Sequence, residues 1–261
     1  VADAGEARSF SRGFPEHPVR FRDECKDFLR FIRNPSLAPR LPGGRSGSGT
    51  RADWFAGLSL PRLLQWALLL WAWNLFLLGP LAVVVAYLGG AQHRLLGMNT
   101  LPWLQALLLA PLVEELLFRH GLRRPAQALW VIPAAAVVLA YGMRWSTGLL
   151  LAVVLLCIVL QTRRGGKAMP WSWRRAYRRS FVWVFYGATT CFALLHLLNF
   201  NLHQTPWWLL PLLVLPQWCT GLVLGWLRVR RGIGAAMLLH ALFNGGPLLL
   251  VWLLLGAMRG A

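Results

Sequence analysis

Beyond Asp53 the chain holds only two carboxylates, Glu114 and Glu115, adjacent within the apolar run LPWLQALLLAPLVEELLFRHGL. A lone carboxylate inside a membrane helix costs at least about 2.5 kcal/mol, and two together repel, so one must be paired, protonated or hydrated. Arg119 follows Glu115 by four residues, the spacing at which side chains on one helix face meet, which predicts a Glu115–Arg119 ion pair. Glu114 is turned about 100° from its neighbour and points elsewhere. A polar lock between helices would need only one of the two.

Imidazoles are almost as scarce in the apolar runs. His196 lies in FVWVFYGATTCFALLHLLNF with Phe192 one turn before it, and His240 lies in IGAAMLLHALFNGG with Asn244 one turn after it. Helical spacing puts His240 and Asn244 on one face. Either histidine alone reads as an interhelical hydrogen bond. Glu114, Glu115, Arg119, His196, His240 and Asn244 together each need a polar partner in hydrocarbon, and one shared wet cavity supplies them all. A carboxylate with an imidazole can hold and deprotonate a water, while a second imidazole and an amide can stabilise an oxyanion. That division fits hydrolysis of an acyl bond without a covalent intermediate. A Glu-His-His metal site built from Glu114, His196 and His240 is the main mechanistic rival, although no His-Glu-x-x-His ligand pair is present. No Gly-x-Ser-x-Gly occurs, and Cys191, five residues before His196, has no specific support as a nucleophile.

The elements that position these residues are membrane spans. The 261 residues are 57% apolar and 14% charged, with 15 tryptophans, which argues against a water-soluble enzyme. The net charge of +18 reads as topology rather than nucleic-acid binding, because the basic residues alternate with long apolar runs. The expected fold is all-α, a polytopic bundle of about seven spans near 63–90, 101–122, 126–143, 146–161, 181–203, 206–227 and 233–258. Gly79-Pro80 should kink or tilt the first span. With the N-terminus cytoplasmic, the inner loops carry Arg123 and Arg124, the 163–179 run, and Arg228, Arg230 and Arg231, as the positive-inside rule requires. Trp171, Trp173, Trp207 and Trp208 fall where interfacial anchors belong. His17, His93, His120 and His203 fall at span ends or in the tail, expected to face water or headgroups.

Residues 1–53 form a separate basic tail holding seven of the nine acids, followed by the membrane domain 54–261. In FRDECKDFLRFIR the apolar positions Phe21, Cys25, Phe28, Leu29 and Ile32 share a helical stripe, with Phe31 off it. The segment is either an amphipathic helix on the anionic cytoplasmic leaflet or part of an unstructured tail. GGRSGSG reads as a flexible linker.

The motifs VEELLFRHGL, FALLH and HALFN, read as Glu-Glu-x-x-x-Arg, Phe-x-x-x-His and His-x-x-x-Asn in this order on separate apolar helices, resemble the CPBP or Abi family of CAAX prenyl endopeptidases and bacteriocin-processing or immunity proteins. The resemblance covers roughly 101–124 and 181–246. It implies an intramembrane glutamic protease in which Glu114 activates water with His196, His240 and Asn244 form the oxyanion site, and Glu115, Arg119 and Phe192 support them, with neither metal nor cofactor. The expected partners are a membrane-anchored protein or peptide substrate and anionic lipids, without nucleic acid. The resemblance admits a prenylated C-terminal tail, a bacteriocin leader or a C-terminal sorting helix as substrate; the Arg/Ala/Leu/Trp-rich, Lys-poor style points to a prokaryote and its cytoplasmic membrane, which favours sorting-signal or peptide-maturation processing over a prenylated tail. The competing classes are a non-catalytic immunity or scaffold protein of the same fold, a metal-dependent membrane hydrolase, and a proton-coupled transporter.

Overall fold

A computed structural model describes residues 20–37, 39–41, 53–54, 58–94, 102–163 and 169–260. The Gly/Ser linker and His17 lie outside the described residues. Helix α1 (Phe21–Arg33) precedes α2 (Leu60–Gly89), a helix apolar on nearly every side, as a membrane segment must be. Then come α3 (Ala110–Phe118), the single turn α4 (His120–Arg123), and the hairpin α5 (Pro125–Tyr141) and α6 (Trp145–Arg163). The surface helix α7 (Trp171–Arg179) leads into α8 (Phe181–Leu195), and α9 (Leu215–Arg230) and α10 (Ile233–Gly260) complete the bundle. Among the described residues four helices are long and apolar enough to span a membrane. A fifth span results if Trp207–Leu213 and α9, bent by 46°, are counted as one. The chain is an integral membrane protein of all-α architecture.

Two helices, the span α2 and the shorter helix that ends in α3, carry the same irregularity for the same reason. In α2, Asn74–Leu78 is a π-helical turn in which Gly79 N–H donates to Asn74 O, and Pro80 follows. Ahead of α3, Gln105–Leu109 is π-helical, Ala110 N–H donates to Gln105 O, and Pro111 follows. A proline has no N–H for the carbonyl four residues back and its ring crowds that turn, so the helix widens just before it. Gly79-Pro80 therefore acts through a π-helical turn.

Two cores hold the helices together. The larger joins Phe28, Trp66, Leu70, Phe185, Phe192 and Trp226, from α1, α2, α8 and α9. The other packs Val113 and Leu116 of α3 against Val131, Ala135, Leu151 and Ile158 of the α5–α6 hairpin. The hairpin thus backs the glutamate helix from the side away from α8. At one end of the bundle, β1 (Gln92–His93) pairs antiparallel with β2 (Phe200–Asn201), just past His196. At the other end meet α1, α4, α7, and the close of α9: Tyr177 donates to Gly121 O and Leu122 O at 3.1 and 3.2 Å, and Arg123 to Val229 O at 2.8 Å.

Helix α1 departs from its expected stripe. Phe31 is buried (3% exposed) and Leu29 is exposed (52%), because the inward face is Glu24, Phe28 and Phe31 rather than the wholly apolar line. Phe28 meets Trp66 and Trp226 edge-on, and Phe31 meets Phe185 at 5.1 Å. Tertiary aromatic partners, with buried Glu24 among them, set the rotation of this helix. His120 also departs from expectation. It is buried, with Nε2 2.8 Å from Gln127 Oε1, and Gln127 donates onward to Gln161.

Candidate active site

Glu115 is fully buried and accepts from Arg119 Nη1 at 2.7 Å, the i,i+4 pair that the spacing predicts. The same oxygen, Oε1, lies 3.0 Å from His240 Nδ1. The opposite ring nitrogen, Nε2, faces Glu114 Oε2 at 3.7 Å. His240 therefore stands between the two glutamates, which the 100° turn from one to the next allows. A proton on Nδ1 is donated to Glu115 and leaves Nε2 as an acceptor in the neutral ring; in the imidazolium both nitrogens donate. Glu114 Oε2, Glu115 Oε2 and Arg119 Nη2 are buried without a hydrogen-bond partner among the described residues.

Phe192 is the packing centre of the site. It is buried, its ring lies 3.8 Å from the Arg119 guanidinium carbon, and it meets Phe118, His196 and His240 edge-on at 5.7, 4.8 and 5.8 Å. An aromatic face attracts a guanidinium, so Phe192 helps keep Arg119 turned back toward Glu115. This approach of α9 and α8 depends on Gly221. A Cβ there would stand 3.0 Å from Thr189 Cγ2, 3.1 Å from Phe192 Cδ1 and 3.4 Å from Arg119 Nη2.

His196 opens the 3-10 turn that ends α8, where its Nδ1 lies 2.9 Å from Phe192 O and fixes the ring. Its ring meets that of Phe192 edge-on at 4.8 Å, which places it beside the cluster. The nearer imidazole to Glu114 is nonetheless that of His240, and His196 is half-buried at the edge. Asn244 donates Nδ2 to Ala106 O at 2.9 Å. The reason lies in the π-helical turn: Ala110 gives its N–H to Gln105 and Pro111 has none, which leaves Ala106 O over within its own helix. Among the described residues no three His, Cys, Asp or Glu side chains group as metal ligands. The cysteines Cys25, Cys157, Cys191 and Cys219 are free.

One residue with a direct hold on this site has the sequence signature of loop charge. Arg228, at the end of α9, is wholly buried and donates Nε to Arg119 O at 3.0 Å and Nη2 to His120 O at 3.2 Å. Its place in a short basic run, R-V-R-R, carries no signal that separates it from Arg230 and Arg231.

In this integral membrane protein the short helix α3 brings Glu114 and Glu115, with Arg119 just past its end, against His240 of the membrane-length α10 and Phe192 of α8, with His196 at the edge. Residues 96–246 match the family model of Type II CAAX prenyl endopeptidase Rce1-like proteins, within the CPBP family, and the chain belongs to this family. Its fold is that of the CAAX-type intramembrane proteases. No curated protein and no solved structure matches the chain.

Proposed function

We propose that the protein is an intramembrane endopeptidase that hydrolyses a peptide bond of a membrane-associated protein or peptide by a Glu/His-activated water. The observation that carries this reading is the position of His240 between Glu115, which is locked by Arg119, and Glu114, which is not. Glu114 is the base: among the described residues it makes no ion pair with an arginine, as Glu115 does with Arg119, and it is the less buried of the two glutamates. It takes a proton from water as the water attacks the scissile carbonyl, and returns that proton to the amine nitrogen as the C–N bond breaks. Glu115 orients His240 through Nδ1, as a carboxylate orients the imidazole of a hydrolytic triad. His196 completes the water site, and His240, as the imidazolium whose Nδ1–H is held by Glu115, donates Nε2–H to the oxyanion together with the second N–H of the Asn244 amide. The first Asn244 N–H, spent on Ala106 O, fixes the amide in place. The substrate class is a membrane-anchored peptide processed near its C-terminus, in the cytoplasmic membrane of a prokaryote.

The test is reconstitution of the full chain in lipid vesicles with candidate membrane-bound substrates, products being read by mass spectrometry. The reading requires cleavage at one bond by wild type and none by Glu114→Gln. Equal cleavage by both overturns it.

A further inference from the structure

Three acids of the N-terminal segment are spent on the arginines that close α9. Glu24 pairs with Arg231, Asp27 holds Arg230 through two hydrogen bonds of 2.7 and 2.9 Å, and Asp53 pairs with Arg228 at 2.5 Å. These arginines read from sequence as topogenic loop charge, yet each is neutralised inside the protein. The segment is seated closely: a Cβ at Gly234, the second residue of α10, would stand 1.7 Å from Trp54 O, so only glycine admits the chain there. Burial pushes the Asp53 carboxyl up, but Arg228, Arg40 and Arg124 outweigh it and hold it down at about 2.

Of the three pairs, only Asp53–Arg228 reaches the glutamate helix. α3 ends at Phe118, and the backbone breaks at Arg119 (φ −122°, ψ −21°) before α4 begins. Arg228 straddles this break. Its guanidinium forks onto the two successive carbonyls of Arg119 and His120 while its remaining arm, Nη1, faces Asp53. The same carbonyls accept the N–H groups of Leu122 and Arg124 at 3.2 Å, so the fork fixes the whole turn. Arg119 is thus held from both sides: its side chain runs back to Glu115 and over Phe192, and its backbone is clamped by Arg228. A planar fork of five donors can span two carbonyls and a carboxylate; an ammonium cannot.

We propose that Arg228 is a positioning residue of the site, set by Asp53, which holds the Arg119 turn where Glu115 can orient His240. The N-terminal segment is accordingly a working part of the membrane domain. The inference rests on the endopeptidase reading for its consequence in turnover, and on the backbone clamp for its consequence in structure.

The experiment compares wild type, Arg228→Lys, Asp53→Asn and Asp27→Asn, each as the full chain in the same vesicles. Turnover of the substrate cleaved by wild type is measured alongside amide hydrogen exchange over 116–124. Misplacing a catalytic group by a fraction of an ångström to an ångström lowers turnover steeply, so Arg228→Lys should lose about 10- to 100-fold in kcat with KM within about twofold. Asp53→Asn should lose less, and Asp27→Asn, which breaks a pair of the same kind away from Arg119, nothing. Exchange at Leu122 and Arg124 should rise in the first two variants alone. Should Arg228→Lys not fold, Asp53→Asn decides, because it leaves the arginine in place. A wild-type kcat in Arg228→Lys, or a change confined to KM, overturns the positioning role. If wild type cleaves nothing, the endopeptidase reading fails by itself and the exchange arm still judges the clamp: equal protection in all four proteins overturns it.

Discussion

Glu24, Asp27 and Asp53 at one end of the bundle, and Glu114 and Glu115 in its interior, are the same functional group in two kinds of company. Both oxygens of Glu24 are bonded, to Arg231 and to Trp66 Nε1. Both oxygens of Asp27 are bonded, to Arg230 and Trp226. Asp53 sits among three arginines. In the interior, Arg119 serves one oxygen of Glu115, and Oε2 of each glutamate has no hydrogen-bond partner among the described residues. A saturated carboxylate is fixed in charge and place and contributes to folding. A carboxylate with a spare oxygen beside an imidazole can exchange a proton, and it is kept in that state only if the surrounding structure meets the cost.

The largest expected structural effect within this contrast is at Glu115. Glu115→Gln leaves the buried Arg119 guanidinium under-compensated and should cost about 3 kcal/mol, with loss of turnover in parallel; Arg119→Ala should resemble it. Detergent thermal melts of both variants check this, and a wild-type melting temperature in either breaks the ion-pair account.

Asp53 tests the saturated side through pH. Its carboxyl is held at about 2 in the folded protein against about 3.9 unfolded, so its stabilisation is complete above pH 4 and is lost as pH falls through 2. The difference in stability between wild type and Asp53→Asn should be about 2 kcal/mol at neutral pH and shrink across that window. A difference independent of pH from 2 to 5 contradicts the charge pairing.

Chelation sharpens the interior side. With a carboxylate–imidazole site, saturating chelator should leave turnover within about twofold of its starting value, set against the several kcal/mol that a catalytic metal contributes. Loss restored by zinc would move the chemistry to a Glu-His-His centre. The smallest effect concerns orientation. A cysteine at position 167, in the basic stretch before α7, should be closed to impermeant reagents in intact cells, as cytoplasmic placement of that stretch requires; labelling from outside would invert the bundle.

Much of the site was legible because acids and imidazoles are rare in apolar sequence and because the Glu115–Arg119 pair is local, its geometry following from helical pitch alone. What escaped was tertiary. Nothing in the spacing of FRDECKDFLRFIR says that Phe31 and not Leu29 faces inward, because Trp66, Phe185 and Trp226 decide it from distant parts of the chain. The burial of His120 depends on Gln127 one helix later. That Asn244 reaches Ala106 O depends on a carbonyl freed by Pro111, which is readable only once the π-helical turn and the helix pairing are both in view. Arg228 was masked by its neighbours: in a basic run at a span end, the positive-inside rule accounts for every arginine equally well and so distinguishes none.

In the proposed mechanism the two adjacent glutamates divide the labour, Glu114 acting on water and Glu115 holding His240. The most direct measurement is turnover and thermal stability of Glu114→Gln and Glu115→Gln in one reconstituted preparation. The account predicts that Glu114→Gln keeps the wild-type melting temperature while turnover falls by about 10²-fold or more, since an amide cannot accept the proton, and that Glu115→Gln loses stability and turnover together. A folded, inactive Glu115→Gln beside a Glu114→Gln of near-normal turnover would contradict it.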